Sequence, residues 1–164
     1  MGPVVRRFPG HFGQVARPAH RSLSSTPAPR ITLTVLFGGQ AKRVPFMIDS
    51  GADFTILQYH DIASMFRLEG RDISFGRGPD MISVSGIGHA SARCRIQQLG
   101  LRLRDSAGTP LTITQSVAIA EPPPTSSTQG SLWKLPSLLG RDLLSRFDFN
   151  LSYDPPAVSL TLND

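Results

Sequence analysis

Short apolar–polar alternations separated by glycine and proline constrain the fold of this chain most strongly. Residues Ile31 to Leu36 alternate with a period of two, and Val158 to Leu162 do so again. Because successive side chains of a β-strand point to opposite faces of a sheet, this period predicts half-buried strands. Glycine and proline together supply 29 of the 164 residues, which favours many turns over a helical bundle. The sequence therefore predicts one mostly-β domain of common size.

The same patterns predict eight strands and two short helices. The strand candidates lie at 31–36, 43–48, 54–57, 72–75, 81–87, 90–103, 111–120 and 158–162. Apolar residues at helical spacing predict helices at 58–67 and 137–147. Three consecutive prolines predict a loop between Glu121 and Ser131.

The charge is divided unevenly along the chain. The formal net charge is +5, and residues 1–30 hold five arginines, five prolines and no acidic residue. The remaining 12 basic and 12 acidic side chains balance in residues 31–164, which argues against a domain that coats nucleic acid with a uniformly basic surface. We expect residues 1–30 to be a basic, proline-rich disordered arm or leader, and 31–164 to be the folded domain. A cytoplasmic location is expected, and the composition of the arm leaves an organelle transit peptide open.

Several classes of site are excluded by what the sequence lacks. Cys94 is the only cysteine, so neither an intrachain disulfide nor a multi-cysteine zinc site can form. The four histidines lack carboxylate-rich or cysteine neighbours at ligand spacing, and we expect no metal and no cofactor. No apolar run approaches the ~20 residues that a membrane span needs.

Four arginines share one face of a predicted strand. Arg93, Arg95, Arg102 and Arg104 alternate with Cys94 and other apolar residues. The period of two places these guanidinium groups together, either solvated or facing a partner, and Cys94 on the opposite, core-facing side.

An acidic residue interrupts two strongly apolar runs in the segment from Phe46 to Leu57. The interruption reads Asp49-Ser50-Gly51-Ala52-Asp53. Small residues at such a break allow a second backbone to approach closely, and a serine there can hydrogen-bond within the loop. A carboxylate between buried strands is either functional or paired, because burying a lone charge is unfavourable. Alternatively, Asp49 lies in an ordinary solvated turn, since the tripeptide alone is common by chance.

This segment resembles the active-site loop of the retropepsin-like aspartic proteases, which carries Asp-(Ser/Thr)-Gly-Ala after an apolar run. Two later segments resemble the same family in the same order. Val84-Ser85-Gly86-Ile87-Gly88 is similar to the glycine-rich tip of the flap hairpin. Leu138-Leu139-Gly140-Arg141 is similar to the segment that opens the C-terminal helix. The resemblance covers about residues 31–162 and implies a retropepsin-like acid-protease β-barrel with one or two short helices.

The resemblance also implies a site shared between two copies of the chain. Family members use two aspartates that share a proton and activate a water, and this chain has a single Asp-Ser-Gly. The pair would therefore be Asp49 from each subunit of a homodimer, with the active site at the dimer interface. In this reading Ser50 bonds across the twofold axis, Gly51 orients the substrate backbone, and Ala52 supports the loop.

Further roles follow from the same resemblance. Asp53 and Arg141 are expected to form a structural bridge beneath the site, or else to be two unrelated surface charges. The flap and substrate-binding residues would be Val84, Gly86, Ile87 and Gly88, with an ordinary hairpin turn as the alternative. The expected substrate is a polypeptide in extended conformation, and apolar residues such as Leu138 indicate apolar side chains beside the cleaved bond.

Three functions remain open at this level. The first is an aspartic endopeptidase, and the second is a non-catalytic dimerisation or peptide-binding module on the same fold. The third is a nucleic-acid-associated protein that uses the basic arm, although no nucleic-acid or membrane partner is expected for the folded domain.

Overall fold

The computed structural model describes residues 5–13, 27–68, 73–85, 91–122 and 135–163. Eleven strands and two short helices occur in these ranges. They are β1 (Val5–Pro9), β2 (His11–Gly13), β3 (Ala28–Phe37), β4 (Gln40–Ile48), β5 (Ile56–Gln58), α1 (Tyr59–Leu68), β6 (Met81–Ser85), β7 (Ser91–Arg104), β8 (Pro110–Ala120), β9 (Ser137–Leu139), α2 (Arg141–Leu144), β10 (Asp148–Tyr153) and β11 (Pro156–Asn163).

The larger sheet closes on itself. Its strand order is β2-β3-β4-β9-β5-β8-β7-β6, and an additional pairing between β3 and β7 joins the two sides into a ring. In that pairing Thr34 lies opposite Arg102 and Val35 lies opposite Leu101. A smaller sheet has the order β1-β11-β10. The mostly-β architecture with two short helices is the one that the sequence predicts.

The core fills the inside of the ring. Alternate residues of the long strands point inward, among them Leu33, Val35, Leu101 and Leu103, and each of these side chains is almost fully buried. Their polar neighbours point outward, so the period of two that predicts the strands also separates core from surface. None of the described helices is long and apolar enough to cross a membrane.

The first residues differ from the expected disordered arm. Phe8 on β1 is fully buried, its ring meets that of Phe147 edge to face at 5.7 Å, and β1 pairs antiparallel with β11. The Arg6 Nε atom lies 3.1 Å from the Asp105 carboxylate. This order depends on partners about a hundred residues or more away, which no local pattern indicates. Residues 1–4 and 14–26 lie outside the described residues.

Three other predicted elements differ from the structure in type or in extent. The predicted helix at 137–147 is a strand, β9, followed by the four-residue helix α2. β9 forms where residues 137–139 pair in parallel with β4, so sheet pairing overrides the helical spacing. The strand candidate at 72–75 has no strand in its described part, 73–75. The predicted strand at 54–57 begins only at Ile56. The loop predicted at 121–131 lies almost wholly outside the described residues.

Candidate active site

Asp49 lies where two parallel strands end together. Ile48, the last residue of β4, lies beside Leu139 of β9, and the Asp49 N–H donates to the Leu139 carbonyl oxygen at 3.1 Å. The chain then turns, and the Ala52 N–H donates to the Asp49 carbonyl oxygen at 3.2 Å. The aspartate is therefore fixed at the rim of the barrel with its side chain half-buried.

The Asp49 carboxylate is held by its own loop. Its Oδ1 atom accepts a hydrogen bond of 2.9 Å from the Gly51 N–H, an arrangement that fixes the side chain over a tight turn. A Cβ atom at Gly51 would lie only 3.2 Å from the same oxygen, so glycine leaves room for the carboxylate. Among the residues that the structure describes, no cation or other donor bonds to this side chain.

Gly140 allows the start of α2 to pack directly on the loop. A Cβ atom at this position would lie 2.4 Å from the carbon and oxygen of the Phe54 carbonyl, closer than atoms can approach. The residues that follow bond to the loop backbone: the Arg141 N–H donates to the Ala52 carbonyl at 2.8 Å and the Asp142 N–H donates to the Asp53 carbonyl at 3.3 Å. The loop is thus braced from below by a segment some 90 residues further along the chain.

Asp142 is the residue of this site that sequence reasoning missed. Its Oδ1 atom accepts from both the backbone N–H and the hydroxyl of Thr55, at 2.9 and 2.7 Å. Its Oδ2 atom accepts from the Gln115 side chain at 2.9 Å. Thr55 is fully buried and also accepts from the Gly140 N–H at 3.2 Å. The available signals were an aspartate next to Gly140-Arg141 and a polar residue inside an apolar run.

Asp53 and Arg141 form an ion pair, and it is exposed. The Arg141 guanidinium contacts the Asp53 carboxylate directly, while the two side chains keep 62% and 64% of their surface exposed. The expected pairing thus occurs in the structure. The expected position beneath the site does not occur within one protomer. Exposed ion pairs contribute only about 0–1 kcal/mol to stability, so this pair is not a main stabiliser of the loop.

The expected flap is described only in part. Val84 is half-buried on β6 and packs beside a small cluster of buried residues, Cys94, Ala118 and Ala120. Gly86, Ile87 and Gly88 lie outside the described residues, so their assigned roles stay predictions. The structure brings Asp49, Ser50, Gly51, Ala52, Asp53 and Arg141 together in one loop-and-helix unit.

Cys94 offers no reactive thiolate. Burial, and secondly the charge of Glu121, raise the pKa of the Cys94 thiol to about 11, so it stays protonated at neutral pH. In the described ranges no three His, Cys, Asp or Glu side chains are grouped in a way that could hold a metal ion.

Comparisons with known proteins concern the fold. No family model matches the chain, and no curated protein matches it. Among solved structures, the EIAV protease in complex with the inhibitor HBY-793 is 17% identical, with 80% of this chain and 92% of that one covered and a TM-score of 0.41. A retropepsin-like aspartic protease from Rickettsia conorii is 15% identical, with 94% of each chain covered and a TM-score of 0.46.

Basic 7S globulin from soybean is 11% identical and has a TM-score of 0.55; the match covers 98% of this chain and half of the soybean chain. At this identity the likeness concerns the fold alone. The closed ring of strands and the two short helices agree with the mostly-β, retropepsin-like fold class that the sequence predicts.

Proposed function

We propose that this chain is an aspartic endopeptidase, in which two Asp49 carboxylates from two copies of the chain activate the attacking water. One observation carries the proposal: among the acidic side chains of this site, Asp49 is the one that pairs with no other side chain of the described residues. Asp53 is neutralised by Arg141, and Asp142 accepts from Thr55 and Gln115. Asp49 accepts only the bond from Gly51 among the described residues.

The second carboxylate has to come from a second copy. The neighbouring acids within the protomer are already engaged, and the sequence has one Asp-Ser-Gly. A twofold axis beside the loop would bring identical carboxylates face to face. The exposed ring of Phe54, at 50% exposure, and the exposed Asp53–Arg141 pair supply surface that a second copy would cover.

The proposed chemistry follows from such a pair. Two carboxylates about 3 Å apart share one proton, because they cannot easily both ionise. The ionised member takes a proton from the water, whose oxygen attacks the peptide carbonyl carbon. The protonated member donates a hydrogen bond to the carbonyl oxygen as charge develops there. The tetrahedral intermediate then collapses, the C–N bond breaks, and the leaving nitrogen takes up the proton that the first carboxylate removed from the water. No covalent enzyme intermediate is needed.

The proposed substrate is a polypeptide in extended conformation. Val84, Ile56 and Leu138 are only partly buried and lie on or beside strands of the ring. They are apolar, which supports apolar side chains next to the cleaved bond. Ser50 and Gly51 are exposed at the loop, as contacts with a second copy and with a substrate backbone require.

Cleavage of a peptide library between pH 3 and 7 tests the proposal. The wild-type dimer should cleave, a statine-type transition-state mimic should inhibit it, and Asp49→Asn should abolish cleavage. Asp154→Asn makes the same change at an exposed acid in the turn between β10 and β11 and should leave cleavage unchanged. An Asp49→Asn protein that cleaves like the wild type would exclude the mechanism. A verified wild-type dimer that binds peptides without cleaving any would favour the binding-module alternative.

A further inference from the structure

A second feature of the barrel lies on its outer face, where β3 pairs with β7. Thr34 lies opposite Arg43 of β4 on one side and opposite Arg102 of β7 on the other. Adjacent strands are about 4.8 Å apart, so the closure of the ring places two arginines about 10 Å apart with a threonine hydroxyl between them. Neighbouring residues on these strands, such as Leu33 and Val44, point into the core.

These residues line a pocket with a volume of about 530 Å³. Its cationic and hydroxyl-bearing walls are formed by Arg43, Arg102, Arg104, Thr32, Thr34 and Ser106. None of them belongs to the Asp49 loop or to α2. Arg43 lies on β4 six residues before Asp49, which directly follows the strand, and this corresponds to about 20 Å along an extended strand. The pocket therefore lies away from the proposed catalytic carboxylate.

The positive charge of this pocket is not balanced within the described part of the protein. Arg43, Arg102 and Arg104 form no ion pair among the described residues, since the pairs found there involve other side chains. Like charges placed across a sheet repel one another. A bound anion would relieve this repulsion.

The one acid at the pocket, Asp105, is already engaged. Its carboxylate accepts from Arg6 at 3.1 Å and from the N–H groups of Ala107 and Thr109 at 3.0 and 2.7 Å. Partial burial raises the pKa of Asp105, but the bonds from Thr109, Arg6 and Ala107 together leave this pKa below its usual value. Asp105 is thus an ionised partner of Arg6 and of its own turn.

Two of the arginines are held in place while most of their donors stay available. Arg102 Nε donates to the Thr112 hydroxyl at 3.3 Å, and one Arg104 Nη atom donates to the Gly108 carbonyl at 2.9 Å. A guanidinium group carries five N–H donors in a planar fork that matches the oxygens of a phosphate. Restraining the side chains in advance reduces the entropy that a ligand would have to remove.

We propose that this pocket binds the phosphate group of a small anionic molecule. Arg43 and Arg102 would donate from either side of Thr34, and Arg104 and the Thr32 and Thr34 hydroxyls would supply further donors. Two sources share this chemistry, free inorganic phosphate and the phosphate of a nucleotide-sized metabolite. The volume is sufficient for either one.

Calorimetric titration of the full-length chain at constant ionic strength tests the proposal. Inorganic phosphate and AMP are the two probes, and adenosine is the uncharged comparison. We expect saturable binding of at least one phosphate-bearing probe and none of adenosine. Tighter binding of AMP would identify a nucleotide-sized ligand, and equal affinity would identify the phosphate alone.

The double variant Arg43→Gln/Arg102→Gln should weaken binding of the probe by about tenfold or more, since each charged hydrogen bond is strong. Arg146→Gln removes the same charge from an exposed residue in the turn after α2, outside the pocket, and should bind like the wild type. If the double variant does not fold, Arg102→Lys keeps the charge but loses the fork and should still weaken binding severalfold. Absence of saturable binding, or equal affinities for wild type and the folded variants, would overturn the proposal. So would much tighter binding of a single-stranded oligonucleotide than of AMP, because that would indicate a polymer surface.

Discussion

The hydroxyl of Thr55 offers a sharp test of how the Asp49 loop is held. Replacing Thr55 with valine keeps the shape of the side chain but removes its oxygen. The Asp142 carboxylate loses a 2.7 Å hydrogen bond, and the Gly140 N–H loses its 3.2 Å acceptor in a buried position. A hydrogen bond to a charged group contributes about 1.5–3 kcal/mol, and a buried N–H without a partner costs about 1–3 kcal/mol. We therefore expect the free energy of unfolding to fall by about 2.5–6 kcal/mol.

Thr55→Ser is the matched control. It retains the oxygen and removes one methyl group, which is worth about 0.8 kcal/mol when buried. Urea unfolding of the wild type and the two variants at the same protein concentration gives the change in free energy of unfolding for each variant. The slope of this free energy against urea concentration should be the same for all three proteins. For a chain of this size the valine variant should also melt roughly 5–24 °C lower. If valine and serine are equally destabilising, the hydroxyl does not brace the loop and our account of the site is wrong.

Three further predictions concern other parts of the fold. Phe8→Ala should lower the free energy of unfolding by about 3–5 kcal/mol, because the buried ring fills the space between β11 and Phe147. Val5→Ala changes a side chain that is 60% exposed and should alter the free energy of unfolding by less than about 0.5 kcal/mol. Equal effects in urea unfolding would show that the first residues are not part of the core. Since the pKa of Asp105 is lowered in the folded state, its ionised form stabilises the fold above the pKa of the unfolded chain, and this contribution is lost as the pH falls through the folded pKa. Asp105→Asn should therefore be less stable than the wild type at pH 7 and approach it near pH 2, and a difference that does not change with pH would contradict the assignment. The pKa of Cys94 is about 11 and its side chain is fully buried, so iodoacetamide at pH 8 should not modify the native protein within an hour but should modify the protein unfolded in urea. Mass spectrometry measures the modification, and rapid reaction of the native protein would contradict the burial of Cys94.

The sequence predicts the barrel well where its signal is local. The period of two along 31–36, 90–103 and 111–120 matches strands β3, β7 and β8, which also form the longest pairings. The start of residues 137–147 was misread because Leu138 and Leu139 suit either period. A parallel neighbour, β4, decides that they form a strand. The strand at Val5–Pro9 was missed since its partner β11 is about 150 residues away.

The candidate site also contains residues that a local sequence signal indicates and residues that it does not. Asp49 and its glycine stand out because a charge between two apolar runs is unusual. The partnership of Thr55 with Asp142 could not be predicted, because nothing local to either residue indicates a contact across 87 positions. Only the β7 side of the pocket around Arg43 and Arg102 has a signal in the sequence. The prediction that Arg93, Arg95, Arg102 and Arg104 share one face of β7 is wrong, because positions 93 and 102 are an odd number of residues apart on an unbroken strand, so the two pairs point to opposite faces. Only Arg102 and Arg104 line the pocket, and the contribution of β4 depends on the closure of the ring.

The central claim is that one catalytic site needs Asp49 from two copies of the chain, and a subunit-mixing experiment tests it most directly. Wild type and Asp49→Asn are unfolded together, refolded in varied proportions at constant total concentration, and assayed for peptide cleavage. If both carboxylates are required, activity falls with the square of the wild-type fraction, to about one quarter in an equal mixture. Activity that falls in direct proportion, to about one half in an equal mixture, would contradict a shared site and the mechanism proposed for it.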